Sequence, residues 1–337
     1  MARSNSGWVL GRRPDGADDL ELSDLPVPEL GEDQILVRNV YLSIDPTNRV
    51  WLSDREQYLP PVGVGEVVRG VTVGVVEESA SQRFVPGDAV VLGEGGWQRY
   101  SVYDAASAGR IRRRDGVPLT ASVSVLGTTG LTAYVGLIDI CRPKPAETLV
   151  VSAAAGAVGS IVGQIGKIKG ARVVGIAGGP EKCRWIIDDL GFDAAIDYKN
   201  EDVGAALDRL CPDGIDMDFE NVGGPIMDAV YARMNRGGRM AVCGLISQYN
   251  SDEPMAGPRD FGRVLMQRLT IQGFVILDHF HRAREAYSDL AGWIQAGQLQ
   301  WKDHVLDGLE AAPEALNRLF TGDHDGKLMV QVSDAPF

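Results

Sequence analysis

The sequence predicts a two-domain α/β protein in which a doubly wound parallel sheet of six strands follows a barrel-like β domain. Three observations carry this reading. The chain has 337 residues, more than one ordinary core holds. Its first third is a series of short alternating runs, ILVRNVYLSID, EVVRGVTVGVVEES, FVPGDAVVLG and WQRYSVY, with Pro86-Gly87-Asp88 as one turn and no long helix among them. From Thr128 onward, apolar strands alternate with helical stretches instead.

The second region is read element by element. TLVVSA (148–153) is strand-like, and Val158, Ile161, Val162, Ile165 and Ile168 then share one face of a helix that stops at Gly170. RVVGIA (172–177) is the next strand, and its helix opens on Pro180 and closes at Gly191. Further strands fall at AAID (194–197), IDMDFE (215–220), RMAVCG (239–244) and IQGFVI (271–276), with helices over 201–210, 225–235 and 283–296. In the tail, PEALNRLFTGD reads as a short helix and KLMVQVS as an edge strand returning to the first domain. The expected domains are therefore 1–125 completed by 298–337, and 126–297.

Composition narrows the function. With 45% hydrophobic and 23% charged residues the chain is globular, and no apolar run is long enough to span a bilayer, so a soluble protein is expected. MARSNSGWVLGRRPDG lacks the apolar centre of a signal peptide, which makes the cytoplasm the expected compartment. A net charge of −13 opposes general binding to nucleic acid or acidic membranes. Cys141, Cys183, Cys211 and Cys243 form no CxxC pair and read as core thiols.

AAAGAVGS (153–160) lies between strand and helix, where backbone amides and the helix's positive end can face a diphosphate, and Gly156 and Gly159 permit close approach. Ligands of such sheets cross the carboxyl ends of the strands. The other contacts should then come from the turns Gly178–Lys182, Tyr198, Asn221–Gly224, Cys243–Tyr249 and Phe274–Leu277. The second strand ends not in the acid that usually bonds the ribose hydroxyls but in Gly178-Gly179, with Lys182 shortly after. A neutral strand end followed by a cation suits the 2′-phosphate of NADP. Glu181, the alternative partner for a ribose hydroxyl, is accounted for as an acid at a helix start.

Zinc needs Cys, His or carboxylates converging on one point. Residues 1–125 contain neither His nor Cys, and all four histidines, His279, His281, His304 and His324, come late, His279 and His281 reading as a solvated helix entrance. No metal site is expected.

YLSIDPTNR, YLPPVGVGEVVRG, LGTTGLTAYVGL, AAAGAVGSIVGQIGKIKG, ENVGG and CGLISQYN together resemble the zinc-free alkenal and enone double-bond reductases, a branch of the medium-chain dehydrogenases and reductases. The resemblance spans nearly the whole chain. It implies a GroES-like β-barrel domain that supplies catalysis, an NADP-binding Rossmann domain, and a homodimer that reduces α,β-unsaturated aldehydes or ketones with NADPH. The cofactor residues it implies are Ala157, Val158, Gly159, Ser160, Lys182, Tyr198, Asn221, Cys243, Gly244, Leu245, Ile246, Ser247, Tyr249, Phe274, Val275 and Ile276. Three departures stand out. Met266 occupies a position where many relatives have tyrosine, Asp45-Pro46-Thr47-Asn48-Arg49 lacks the usual aromatic after proline, and His324 replaces an asparagine near the C-terminus.

The reaction requires hydride at the β-carbon, stabilisation of the enolate oxygen and a proton for the α-carbon. Tyr249 and Tyr58 are the candidate catalytic hydroxyls; a ribose-packing ring and a core ring at a domain interface are their structural alternatives. Other functions compatible with the sequence are an NADPH quinone reductase of the same fold and, with Met266 marking a lost proton donor, a non-catalytic NADPH-binding sensor.

Overall fold

The computed structural model describes residues 4–13, 19–251 and 253–336. It divides into two compact units, Met1–Val123 with Asp303–Phe337, and Ser124–Lys302.

The first unit opens with β1 (Asn5–Leu10) and β2 (Leu20–Leu25), an antiparallel pair in which Asn5 faces Leu25. No strand is expected here from the sequence, because Ser and Gly dilute the alternation of NSGWVL. There follow β3 (Gln34–Ser43), α1 (Pro46–Leu52), β4 (Thr72–Ser79), β5 (Ala89–Leu92), β6 (Tyr100–Asp104) and β7 (Gly109–Arg110). Two turns of helix are too short to leave a periodic signature, so α1 was not foreseen. It is set by Pro46 in its first turn and by Asn48, whose Oδ1 accepts the Asp45 N–H at 2.7 Å.

The second unit begins with α2 (Thr128–Tyr134), continued by a π-helical turn over Val135–Cys141. Its apolar residues surround the axis, which hides a helix from any search for one apolar face. Then come β8 (Thr148–Val151), α3 (Ala157–Ile168), β9 (Arg172–Ala177), α4 (Pro180–Asp188), β10 (Ala194–Asp197), α5 (Val203–Leu210), β11 (Ile215–Glu220), α6 (Gly224–Tyr231), β12 (Met234–Val242), α7 (Arg263–Gln267), β13 (Thr270–Gly273) and α8 (Ala283–Gln295). The six strands form one parallel sheet in the order β10-β9-β8-β11-β12-β13. Its topological switch lies between β8 and β11, where such sheets bind their ligands. All four residues of β8 are buried, as a strand covered on both faces requires. The helix expected to reach residue 235 ends at Tyr231, since Met234 already pairs with Ile215. β13 is four residues long, and the expected strand end at 276 instead starts a 3-10 turn, Ile276–Arg282.

The chain then completes the first unit with β14 (Asp303–Asp307), α9 (Ala312–Thr321) and β15 (Lys327–Gln331). Here an expectation fails. β15 is not an edge strand; it lies between β14, to which it is parallel, and β3, where Met329 faces Ser43. Polar Asp303 and His304 disguised the true edge strand, β14. The sheet path runs β14-β15-β3-β4-β5-β7, and β6 pairs with the first half of β3. Beneath it Leu10, Leu42, Trp97, Leu316 and Leu328 are packed from both parts of the chain. Among the described residues no helix is long and apolar enough to cross a membrane.

Candidate functional site

The loop between β8 and α3 brings Ala157, Val158, Gly159 and Ser160 together as the first turn of α3. Gly156 is the N-cap and supplies no side-chain cap, so that turn's amides are not covered from within its own cap. A Cβ on Gly159 would stand 2.4 Å from the Ala153 carbonyl oxygen, so only glycine lets α3 start this close to the strand end. Ala153 itself has φ 48°, a left-handed conformation costly for a residue with a side chain. Ser160 turns inward: it is buried, its Oγ donates to Ala157 O at 3.3 Å, and its N–H donates to Gly156 O at 3.0 Å. Of the four, it offers least to a ligand.

At the ends of β9 and β10 a second group forms. Gly179, at φ 97°, is the N-cap of α4, and Lys182 lies in that helix's first turn with a half-buried side chain. Two residues that the sequence reading passed over complete the group. Asp197, the last residue of β10, accepts N–H bonds from Gly179 at 2.8 Å and Lys199 at 3.1 Å on Oδ1, and from Asn200 Nδ2 at 2.7 Å on Oδ2. Desolvation opposes its charge, but these donors and Lys199's charge prevail and hold the carboxyl below its ordinary range. An acid is thus present one strand further on, and both its oxygens are engaged in fixing the turn. A Cβ on Gly178 would lie 2.9 Å from a ring carbon of Tyr198 and 3.0 Å from Lys199 Cε. Gly178 therefore lets the exposed Tyr198 and the stem of Lys199 lie on the strand end. The signal was in the sequence, as an Asp-Tyr-Lys run closing a strand.

The end of β11 carries the third group. Glu220 Oε1 accepts from Ser152 Oγ at 2.9 Å, from Gly223 N at 2.8 Å and from Val222 N. Asn221 donates its N–H to Ser152 Oγ and its Nδ2 to Ser152 O, both at 2.7 Å. Gly223 and Gly224 turn the chain at φ 79° and 58°. The segment Cys243–Tyr249 is bonded to this turn, with Ile246 N donating to Asn221 O at 3.1 Å and Ser247 Oγ to Val222 O at 2.6 Å. Burial, reinforced by Glu220, raises the Cys243 thiol to about 12, so it stays protonated. Tyr249 closes the segment on itself, its hydroxyl oxygen accepting the Leu245 N–H at 3.1 Å. Phe274 packs edge-on against Phe219 at 6.4 Å.

Buried under the third group is an acid the sequence reading did not single out. Asp218 shares a face of β11 with Glu220, is fully buried, and has no hydrogen-bond partner on either carboxylate oxygen. Burial and the neighbouring Glu220 push its carboxyl well above the usual range. Burial also raises Glu220, against its backbone and Ser152 hydrogen bonds.

Tyr58 belongs to the first unit. Its side chain is 47% exposed, its hydroxyl pairs with Thr47 Oγ1, and its ring meets Trp51 edge-on at 6.5 Å. α1 beneath it is tied down by the buried Lys327, whose Nζ donates to Ile44 O and Asp45 Oδ1, both at 2.7 Å. Met266 sits on α7 with 65% of its surface exposed. His279 and His281 occupy the 3-10 turn that enters α8, their rings 5.9 Å apart. Among the described residues no group of three or more His, Cys, Asp or Glu is placed to hold a metal ion.

Comparison with known proteins places the chain in a family. Residues 6–111 match the family model described as the N-terminal domain of oxidoreductase, and residues 157–295 match the one described as zinc-binding dehydrogenase. The chain is 43% identical to an NADPH-dependent curcumin reductase of Escherichia coli K12, covering 98% of this chain and 97% of that protein. It is 41% identical to a 2-alkenal reductase (NADP(+)-dependent) of Nicotiana tabacum, over 94% of this chain and 93% of that one. The crystal structure of CurA in complex with NADPH from Vibrio vulnificus superposes with a TM-score of 0.92 at 42% identity, covering 98% of this chain and 100% of that chain.

Proposed function

We propose, from the premise that the chain belongs to the alkenal and enone double-bond reductase branch of the medium-chain dehydrogenases and reductases, that it reduces the carbon–carbon double bond of α,β-unsaturated aldehydes or ketones with NADPH. The observation that carries the reading is the row of three groups along the carboxyl ends of β9, β8 and β11. The Gly178–Lys182 turn with Tyr198 suits the 2′-phosphate, the start of α3 the diphosphate, and the Asn221 and Cys243–Tyr249 turns the nicotinamide half. The fit is physical: a side chain at Gly178 or Gly159 would fill the space or clash with backbone. When bound, NADPH supplies the hydride.

The chain's own part is to orient, to exclude water and to manage one proton. Tyr249 accepts the Leu245 N–H, which fixes its oxygen, and its phenol is the hydroxyl assigned to protonate the developing enolate or α-carbon. Tyr58, paired with Thr47, is the second hydroxyl that can serve. Neither role needs a metal ligand. The large exposed side chains Phe261, Leu265 and Met266 precede the outer strand β13, and they suit burial against a second copy in a homodimer.

The test is a substrate screen. NADPH oxidation by alkenals, cyclic enones and quinones is followed by nicotinamide absorbance, with NADH in parallel. Enone turnover well above quinone turnover, with NADPH preferred, is expected. Preference for quinones would replace the reading with an NADPH quinone reductase, and no turnover of either would leave a cofactor-binding sensor.

A further inference from the structure

We propose that Lys199 is a second cation for the cofactor's 2′-phosphate, held in place by Asp197, so that NADPH selection rests on two lysines from two different strand ends. The inference rests on the NADPH reading above and adds to it a residue that reading did not contain. Lys182 comes from the helix after β9, and Lys199 from the turn after β10. The two strands are parallel neighbours, with Asp197 beside Ala177, so both turns emerge at the same end of the sheet.

The side chain of Lys199 is directed to that end by its surroundings. Its Cε approaches to 3.0 Å of where a Gly178 Cβ would stand, and the Tyr198 ring lies at 2.9 Å of the same point. A methyl group there would displace both, so the glycine leaves room for the lysine stem and the ring together. The backbone is fixed as well. Asp197 Oδ1 takes the N–H groups of both Gly179 and Lys199, which links the two turns through one oxygen atom. Because Asp197's oxygens are spent on these bonds, its charge stabilises the turn rather than bonding a ribose hydroxyl. Lys199 is an exposed residue, as a ligand contact requires. In a chain with a net charge of −13, two lysines beside the positive end of α4 form the local cationic spot that a dianionic phosphate needs. Asp197 is on this account a positioning residue, acting through Lys199 and Gly179.

The experiment is calorimetric binding of NADPH and NADH, and of adenosine 2′,5′-bisphosphate and 5′-AMP, to the whole chain and to Lys199→Ala and Lys199→Arg. Exposure of the side chain keeps folding out of the comparison. The expected result is about a tenfold weakening of NADPH and of the bisphosphate in Lys199→Ala, with NADH and 5′-AMP unchanged and substantial recovery in Lys199→Arg. Unchanged NADPH affinity overturns the proposal while leaving the NADPH reading intact. Parallel weakening of NADH also overturns it, since Lys199 then acts on the shared part of the cofactor. Equal affinity of the unaltered protein for NADPH and NADH sinks the reading and this inference together.

Discussion

The turns after β10 and β11 are each held by one carboxylate that gathers neighbouring donors, yet their surroundings differ completely. Asp197 lies at the surface among Gly179, Lys199 and Asn200, and hydrogen bonds hold it ionised. Glu220 does equivalent work for Ser152, Val222 and Gly223 inside the sheet, with the unpartnered Asp218 beside it, and burial pushes both carboxyls toward the neutral form. The same hydrogen-bonding pattern therefore has opposite electrostatic consequences. A surface carboxylate organises a turn at little cost, whereas a buried one commits its donors to a partner that water cannot replace.

The largest effect expected from this contrast is that of Glu220→Ala. Removing the acceptor strands three donors, those of Ser152 and Gly223 buried and that of Val222 partly so, and denaturant unfolding should show a loss of about 3 kcal/mol or more. Asp197→Ala removes as many bonds, but its donors can be hydrated. Equal losses in the two variants would show that burial does not separate the turns.

Tyr249→Phe comes next and sharpens the comparison on the Glu220 side. The variant keeps the ring but loses the hydroxyl that accepts from Leu245 and is proposed to donate to the substrate. Turnover on a good enone should fall roughly 100-fold if the hydroxyl acts in the transition state, with NADPH affinity nearly unchanged. If Tyr58→Phe alone produces that fall, the donor is in the first unit; if neither variant nor the pair does, water supplies the proton.

The pH dependence follows with opposite signs. Asp218's folded pKa is raised, so its contribution is complete below the unfolded value of about 4 and is lost as pH rises through the folded value. Asp218→Asn, which cannot ionise, should be more stable than the parent at pH 8 by about 1 kcal/mol, the difference shrinking toward pH 4. Melting curves across that range check it; a constant difference would mean Asp218 does not titrate. Asp197's folded pKa is depressed, so its contribution is present above about pH 4 and is lost as pH falls through the folded value. Asp197→Asn should reduce only that acid-side slope, the smallest change of the series.

What could be read from the sequence follows the same line between local and remote causes. The strand–glycine–helix unit at 148–170 and the turns at 178–182, 221–224 and 243–249 carry local signals of period, proline and glycine, and they lie at the expected sheet ends. The chain's departures from expectation have remote causes. β15 is interior only because β14 covers its outer side, and α2 reads as undirected apolar sequence because it is buried all round. Lys199 was overlooked because its significance depends on a glycine in the neighbouring strand. Asp218 looked like one polar member of an alternating strand, and only a parallel sheet covered on both faces makes it a buried acid. The zinc named in the description of the family model for residues 157–295 has no ligand cluster among the described residues.

The interior position of β15 also bears on how the molecule is made. Residues 124–302 are contiguous, so the parallel sheet can assemble while the ribosome is still translating. The first unit cannot: β3 must wait for β15, which is translated after the whole second unit, and until Met329 reaches Ser43 the Tyr41–Ser43 end of β3, beyond its pairing with β6, is an open edge with Leu42 uncovered. The segment before residue 124 is thus finished only after the parallel sheet that follows it, and during synthesis chaperones have most reason to engage that segment.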